Sequence, residues 1–557
     1  MNIEKADKNV PVFRIIVIFF LIYAVFFVFQ TGFSAGGEWC FCLADDAMIS
    51  MKYAKNLSEG NGLVWQAGEE RVEGFTNLLW VLYMAIFHLF SIPAAKMSLF
   101  IQLSCVVFLV INLFVVRKLA GILSGNSYLV EITAVFFTAF YFPLNYWSIH
   151  GFETGILTLL INTSLLLYLR AGEDDRKHLL PFVILAVSTL IRLDMAVPYF
   201  MLFIFHLFSM KKNRIRKSLT FLAPLLIVLA AQTVFRFLYY GELLPNAYYL
   251  KMTGYPAFLR ILRGFLVFID FLWKPAFLLY LLPLVLVFSK KSKTLRLPAL
   301  LVLGQVGYSI YVGGDSWEWY GICNRFIVVA MPLFFILFAS AIHKMIEQYQ
   351  RRPFTKFHRY LSKVYLIAFL ILGQFAFNAT NKRDDFAPWL LTNPPFEVEG
   401  IKANLDMGLL IEKITFPDAK IALTWAGTVP YFINRKYIDL LGKNDRKIAR
   451  TRMHRFEDTE PLFSNNFLKS PYTFFYPGHL KWDFDYSISR LKPDVIMQIW
   501  GNQDELFPLL EKDYIALKAF SIKDFQIILK KNSPHINWEV IGSFNNRRGN
   551  SRRIQKK

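Results

Sequence analysis

The chain has 557 residues, 55% of them hydrophobic and 56 of them Phe, with a mean hydropathy of +0.37, and its apolar residues fall in blocks of membrane-spanning length. This composition excludes an ordinary soluble domain and fits a polytopic membrane protein. The formal charge of +21 argues against a nucleic-acid partner rather than for one, because the Lys and Arg cluster in short loops between apolar blocks, where the positive-inside rule puts them.

The first apolar run, 12–29, comes with Lys5, Lys8 and Arg14 at its start, so it enters the membrane with its N-terminus in the cytoplasm. Small residues at Ser34-Ala35-Gly36 offer a signal-peptide alternative, but the run is longer than a usual signal core, and an uncleaved anchor is expected. Asp45 and Asp46 follow in the first outer loop, 32–97, and open an amphipathic stretch in which Asp46, Ile49, Ser50 and Tyr53 recur at helical spacing. Two meanings stay open for the adjacent carboxylates. They can cap an interfacial helix, or they can be the acids of a site.

The segment 75–90 is about sixteen residues long and marginal for a crossing. If it crossed, the next span, 98–116, would place Arg117 and Lys118 outside, so 75–90 is expected to lie along the outer interface. The spans that follow are 129–146, 154–169, 179–191, 195–209, 219–235, 264–288, 297–312, 326–341 and 364–377, giving about eleven crossings. Segments 179–191 and 195–209 are short, and Arg192 and Asp194 stand between them. That pattern suggests a helix pair that stops short of the outer surface, its charges facing protein or water.

An odd number of spans puts the remainder outside. The expected fold is therefore a polytopic α-helical membrane domain, 1–378, with a C-terminal extracytoplasmic α/β domain, 379–544, and a basic disordered tail, 545–557. Strands are expected at 420–423, 437–440, 495–499 and 525–529, and helices around 425–433 and 504–512.

Four cysteines give no disulfide framework. Neither a P-loop, a C-x-x-C pair, an H-E-x-x-H helix nor a G-x-S-x-G elbow is present, so nucleotide hydrolysis, structural zinc and serine hydrolysis have no support. Asp270 and Lys274, at i,i+4 in an apolar span, are expected to form an internal ion pair. The outward loops share one composition: Asp45 and Asp46, His150 with Glu153, Arg192 with Asp194, Asn246 to Lys251, and Asp315 followed by Trp317, Trp319 and Arg325. Acids, bases and aromatics together suit a sugar, whose hydroxyls bind carboxylates and amides while its apolar face rests on a ring. Trp317 and Trp319 fit an interfacial aromatic belt better than a sugar site.

Several motifs carry a family resemblance. Asp45-Asp46-Ala47, Lys52-Tyr53-Ala54, Gly60-Asn61-Gly62-Leu63-Val64 and Val72-Glu73-Gly74-Phe75-Thr76-Asn77 resemble the first outer loop of GT-C glycosyltransferases, nearest the terminal arabinofuranosyltransferases of mycobacterial cell-wall assembly. Similar stretches are Gly151-Phe152-Glu153-Thr154, Leu244-Pro245-Asn246, Gly314-Asp315 with Arg325-Phe326 and, in the tail, Ala426-Gly427-Thr428, Asp439 to Asp445 and Pro477-Gly478-His479-Leu480-Lys481. Lys52, Trp65-Gln66-Ala67 and Phe75 depart from the commoner family residues.

The resemblance implies a GT-C fold and a transferase that takes a sugar from a polyprenyl-phosphate donor to a glycan or glycolipid acceptor at the outer face of the cytoplasmic membrane. Asp45 is then expected as general base, with Asp46 and Glu153 as further acids and Arg325, Arg192 and Lys251 as partners for the donor phosphate. His150, Asp194, Asn246, Asp315, His479 and Lys481 complete the expected substrate-binding set. No cofactor is required, and the Asp45–Asp46 pair leaves room for a divalent cation. A secondary transporter, or a non-catalytic envelope scaffold, is the alternative.

Overall fold

The computed structural model describes residues 10–172, 174–209, 214–273, 279–283, 293–316, 318, 324–350, 356–378, 387–395, 397–454, 475–522 and 525–542. Trp317, Trp319, Lys274, Cys323, part of the expected span 264–288 and the basic tail 545–557 lie outside the described residues.

The chain opens with the helix Val10–Gln30, which holds one charged residue, Arg14. Phe13, Phe20, Ala24 and Phe27 are buried on one side, while Ile15, Ile18, Phe19, Ile22, Phe26 and Phe29 are exposed on the other. An apolar face of that size left open to the surroundings is what acyl chains solvate. Three helices among the described residues are long and apolar enough to cross a membrane: 11–30, 94–124 and 219–240. A fourth is available if the helices Tyr128–Ala139 and Phe142–Ile149 are taken as one span bent by 49°.

That bend departs from the continuous span expected at 129–146. Pro143 stands at the start of the second helix, where it has no N–H to offer the preceding turn. The carbonyls freed at the break are taken up from outside: Ala139 O accepts from Asn145 Nδ2 at 2.8 Å, and Phe140 O from Asn378 Nδ2 at 2.9 Å and Gln374 Nε2 at 2.6 Å. The expected span 326–341 is broken too, into Arg325–Val328 and Met331–Gln350.

After the first helix the chain makes a two-stranded hairpin, β1 (Gly32–Ala35) and β2 (Glu38–Phe41), and then the helix Asp45–Ser58. The helix Leu78–His88 covers most of the segment assigned to the interface. Eleven residues reach only about 16 Å, roughly half a hydrocarbon core. It packs on Asp45–Ser58 and on the long helix Ala94–Ser124, which in turn contacts Tyr128–Ala139 and Thr154–Arg170. Asp175–Ser188 and Ala196–Ser209 form the short pair, and Leu190 O at their junction accepts from Leu79 N at 3.0 Å.

The C-terminal part is built on a five-stranded sheet of β3 (Lys420–Leu423), β4 (Lys436–Asp439), β5 (Val495–Ile496), β6 (Tyr514–Ile522) and β7 (Phe525–Lys530), in spatial order β4-β3-β5-β7-β6. β3 pairs parallel to β4 and β5, and β7 pairs antiparallel to β5 and β6. Strand alternation divides the buried residues. Ala422, Ile438, Ile496 and Ile528 pack with Trp482, Leu506 and Leu510, while Ile421, Leu423, Val495 and Leu529 join a core continuous with the membrane helices. The C-terminal α/β part is thus fused to the rest of the molecule through apolar packing. β6 and the helix Val398–Ile414 have no counterpart among the expected elements.

Candidate active site at the junction of the first loop and the C-terminal part

The helix Asp45–Ser58 begins after Ala44 with no side-chain cap, so neither carboxylate caps its own helix. Asp45 caps another element. Its Oδ1 accepts from Thr428 N at 2.8 Å and its Oδ2 from Gly427 N at 3.2 Å, at the start of the helix Thr428–Phe432 in the C-terminal part. Gly427 permits this approach, since a Cβ there would lie 1.9 Å from Asp45 O. Trp65 Nε1 donates to Ala426 O at 3.0 Å, and the Gln66 amide exchanges two hydrogen bonds with Tyr437, completing the seam.

One position along, Asp46 turns the other way, into a cavity of about 100 Å³. Ser50 and Asn77, Glu153, Lys251, Arg325 and Lys443 share that lining. Asp46 is ion-paired to Lys443. Burial opposes its ionisation, but Lys443 and Arg325 outweigh burial and hold its carboxyl below the usual carboxylate range. Asp45, buried and more distant from cations, is shifted upward by that burial despite its two backbone donors.

Each cation arrives on its own support. Lys443 stands in a turn organised by Asp439, whose carboxylate accepts from Leu441 N, Gly442 N and Asn444 N at 3.0, 3.1 and 2.7 Å. Gly442 takes φ +72° there, a conformation that favours glycine. The Asn246 amide clamps the same turn from the membrane side, donating to Gly442 O and Lys443 O at 2.9 and 3.0 Å. Lys251 projects from the helix Asn246–Met252, and its stem rests against Gly478, where a Cβ would stand 3.1 Å from Lys251 Cε. It has no ion-pair partner among the described residues. Arg325 is held by Asp315 through bonds of 2.7 and 2.8 Å and lies over the Phe152 ring at 4.6 Å.

Behind the cavity, Arg192 bonds Asp194 at 2.6 and 2.8 Å and reaches Glu153 at 3.4 Å. Glu153 also accepts from Asn77 Nδ2 at 3.3 Å. All three ionic side chains are buried, in line with the expectation that the charges between the short helices face protein.

The structure therefore brings together six of the expected residues around or directly behind the cavity: Asp46, Glu153, Arg192, Lys251, Asp315 and Arg325. Of the two adjacent aspartates, Asp46 lines the cavity and Asp45 does not. The side-chain period of a helix explains it, because adjacent residues point about 100° apart and only one can face the cavity. Asn246 and Asp194 act as braces. Lys481 is also a brace: its ammonium donates to Tyr249 O at 2.8 Å and Ala449 O at 2.7 Å, which ties the Asn246–Met252 helix to the C-terminal part. His150 is buried in the helical core, stacked on Tyr146 with ring centroids 4.2 Å apart and bonded to Tyr146 O at 2.9 Å. His479 stacks on Tyr476 at 4.3 Å and bonds Pro477 O at 2.9 Å, so it too does not line the cavity.

Residues 397–553 match a family model described as a domain of unknown function, DUF8728. No curated protein matches the chain. Among solved structures, the chain is similar to ArnT from Cupriavidus metallidurans bound to undecaprenyl phosphate, at 12% identity over 76% of this chain and 85% of that one, with a TM-score of 0.47. It is also similar to the archaeal oligosaccharyltransferase AglB from Archaeoglobus fulgidus in complex with an inhibitory peptide and a dolichol-phosphate, at 11% identity over 79% of this chain and 65% of that one, with a TM-score of 0.45.

Among the described residues no group of three His, Cys, Asp or Glu stands close enough to hold a metal ion. Nor do the two adjacent aspartates converge, since backbone N–H groups take the oxygens of Asp45 and Lys443 takes Asp46. Lys443, Ser50 and Asn77 line the cavity without having been among the expected site residues; sequence reading placed Lys443 only inside a tail motif.

Proposed function

We propose that this protein is a membrane glycosyltransferase of the GT-C kind, moving a sugar from a polyprenyl-phosphate donor to a hydroxyl of a glycan or glycolipid acceptor on the outer side of the membrane. The observation that carries the proposal is the convergence of Lys251, Arg325 and Lys443, from three separate segments, on one small cavity that also holds the Asp46 carboxylate. The donor's phosphodiester, and the more highly charged phosphate monoester released when the sugar leaves, are ligands that such a set can neutralise, and Lys251 has no ion-pair partner among the described residues.

The surroundings fit a lipid-borne donor. Leu243, Leu244 and Tyr248, adjoining the helix that carries Lys251, are exposed. On the next helix, Ala257–Trp273, Phe258, Ile261, Phe265 and Ile269 form an exposed apolar stripe, while Arg260 and Arg263 are buried on the opposite side. A polyprenyl tail lying along that stripe would bring its phosphate to Lys251.

In the mechanism we propose, the arriving phosphate draws Lys443, Lys251 and Arg325 toward itself. Asp46 then loses its ion-pair partner and becomes more basic. The acceptor hydroxyl attacks the anomeric carbon as Asp46 takes its proton. The carbon–oxygen bond to phosphate breaks, and the electron pair leaves on the phosphate oxygen, stabilised by the same cations. Asp45 keeps the C-terminal part docked so that Lys443 is in place. The family resemblance favours an arabinofuranosyl donor, and an odd number of spans would put the C-terminal part outside the cytoplasmic membrane.

The direct test is transfer by purified protein from radiolabelled polyprenyl-phosphoarabinofuranose, with polyprenyl-phosphate hexoses run alongside. Glycan profiling of a deletion strain identifies the acceptor. No transfer from any polyprenyl-phosphate sugar, together with an unaltered glycan profile, would overturn the proposal.

A further inference from the structure

Glu397 stands just before the helix Val398–Ile414 and is 4% exposed. Among the described residues, neither of its carboxyl oxygens has a hydrogen-bond partner. Burying a carboxyl without partners costs several kcal/mol in transfer terms, and a folded protein normally avoids it by pairing the group or leaving it in water. Here the group is also firmly placed. Val398, the next residue, packs with Phe33, Cys42 and Ile401, so the backbone at 397 is pinned beside the hairpin that leads into Asp45. Upstream, Trp389 O and Leu391 O accept from Tyr23 Oη at 3.0 Å and Gln30 Nε2 at 3.1 Å, which fixes that segment to the first helix. The charged groups that act on Glu397 are Asp46, Arg325 and Lys443, which line the cavity, and Asp45 beside it.

Building on the transferase proposal, we infer that Glu397 is a substrate-binding residue whose buried carboxyl takes a hydroxyl of the sugar being transferred. The chemistry follows from what surrounds it. Burial, and then the carboxylates of Asp46 and Asp45, push its pKa up to about 8, so at neutral pH it carries a proton. A protonated carboxyl offers one donor and one acceptor, the complement of a sugar hydroxyl, which offers the same pair. A phosphate would instead seek Lys251, Arg325 and Lys443, none of which Glu397 engages in a hydrogen bond. The C-terminal part would then contribute two groups with separate tasks, Lys443 to the phosphate and Glu397 to the sugar.

The test compares ligand-induced stabilisation of the full-length detergent-purified protein by two probes, polyprenyl phosphate and polyprenyl-phosphoarabinofuranose, in wild type, Glu397→Ala, Glu397→Gln and Glu397→Met. Glu397→Ala and Glu397→Met are expected to bind bare polyprenyl phosphate as wild type does and to lose about ten- to a hundredfold in affinity for the sugar-bearing lipid. Glu397→Gln, neutral and still both donor and acceptor, should retain most of that affinity. Without ligand, Glu397→Met should melt no lower than wild type, since it removes an unpaired buried carboxyl while filling its volume. A merely structural role would instead lower the melting temperature and weaken both lipids together. That result, or unchanged affinity for the sugar-bearing lipid in Glu397→Ala and Glu397→Met, would overturn this inference alone. A wild-type protein stabilised by neither lipid would overturn the transferase proposal and this inference with it.

Discussion

Replacing Asp45 by Asn separates a docking role from a catalytic one. The wild-type carboxylate accepts from Thr428 N at 2.8 Å and Gly427 N at 3.2 Å. Asn keeps one acceptor oxygen, and its amide nitrogen must face the other N–H, donor against donor. Hydrogen bonds to a charged acceptor contribute about 1.5–3 kcal/mol each, so Asp45→Asn should cost about 2–3 kcal/mol of docking, and Asp45→Ala at least as much. At about 1.4 kcal/mol per decade, the amides of Gly427 and Thr428 should lose about thirty- to a hundredfold in hydrogen-exchange protection. The assay is exchange mass spectrometry on the detergent-solubilised protein, read at peptides spanning 424–433, beside turnover on the same preparation. Turnover should fall in step with protection, because loss of docking withdraws Lys443. Full protection at those amides with a turnover loss of about a hundredfold or more would refute the assignment and make Asp45 the base.

Gly427→Ala should have the same consequence by steric means, since the added methyl meets Asp45 O at 1.9 Å; limited proteolysis should then cut the C-terminal part faster than in wild type. Lys251→Ala removes an unpaired cation from the cavity and should weaken polyprenyl phosphate binding about ten- to a hundredfold with little change in melting temperature, as measured by lipid titration. For Glu397 the folded pKa, about 8, lies above the ordinary glutamate value of 4.5, so the folded state holds its proton longer. Its contribution is fully present below about pH 4.5 and is lost as pH rises toward 8, amounting to about 3 kcal/mol between pH 5.5 and 8. Urea unfolding in detergent at those two pH values should show that slope in wild type and a flatter one in Glu397→Gln.

What could be read from sequence was local. Apolar blocks located the long helices, and the charge of Arg117 and Lys118 argued against a crossing by the segment whose helix, Leu78–His88, has 11 residues. Arg192 and Asp194, at the junction of two short apolar segments, were expected to face protein or water, and in the structure they form a buried ion pair. The tail strands at 420–423 and 495–496 fell where β-branched and aliphatic residues run between turn signals. Other features depend on partners that no local window contains. Which of Asp45 and Asp46 faces the cavity is decided by Gly427 and Thr428, 382 and 383 residues away. The bend after Ala139 depends on Asn378 and Gln374 receiving its carbonyls. Glu397 is an ordinary acid in sequence, and only burial without a partner distinguishes it.

The most direct test of the proposed chemistry is single-turnover transfer by purified Asp46→Asn protein saturated with polyprenyl-phosphoarabinofuranose, with donor binding measured in parallel. The substitution leaves Lys443 without its ion pair, so the donor should bind at least as tightly as to wild type, while the rate should fall by about a hundred- to ten-thousandfold, the range for loss of a general base. A wild-type rate in Asp46→Asn, at matched donor occupancy, would contradict the account.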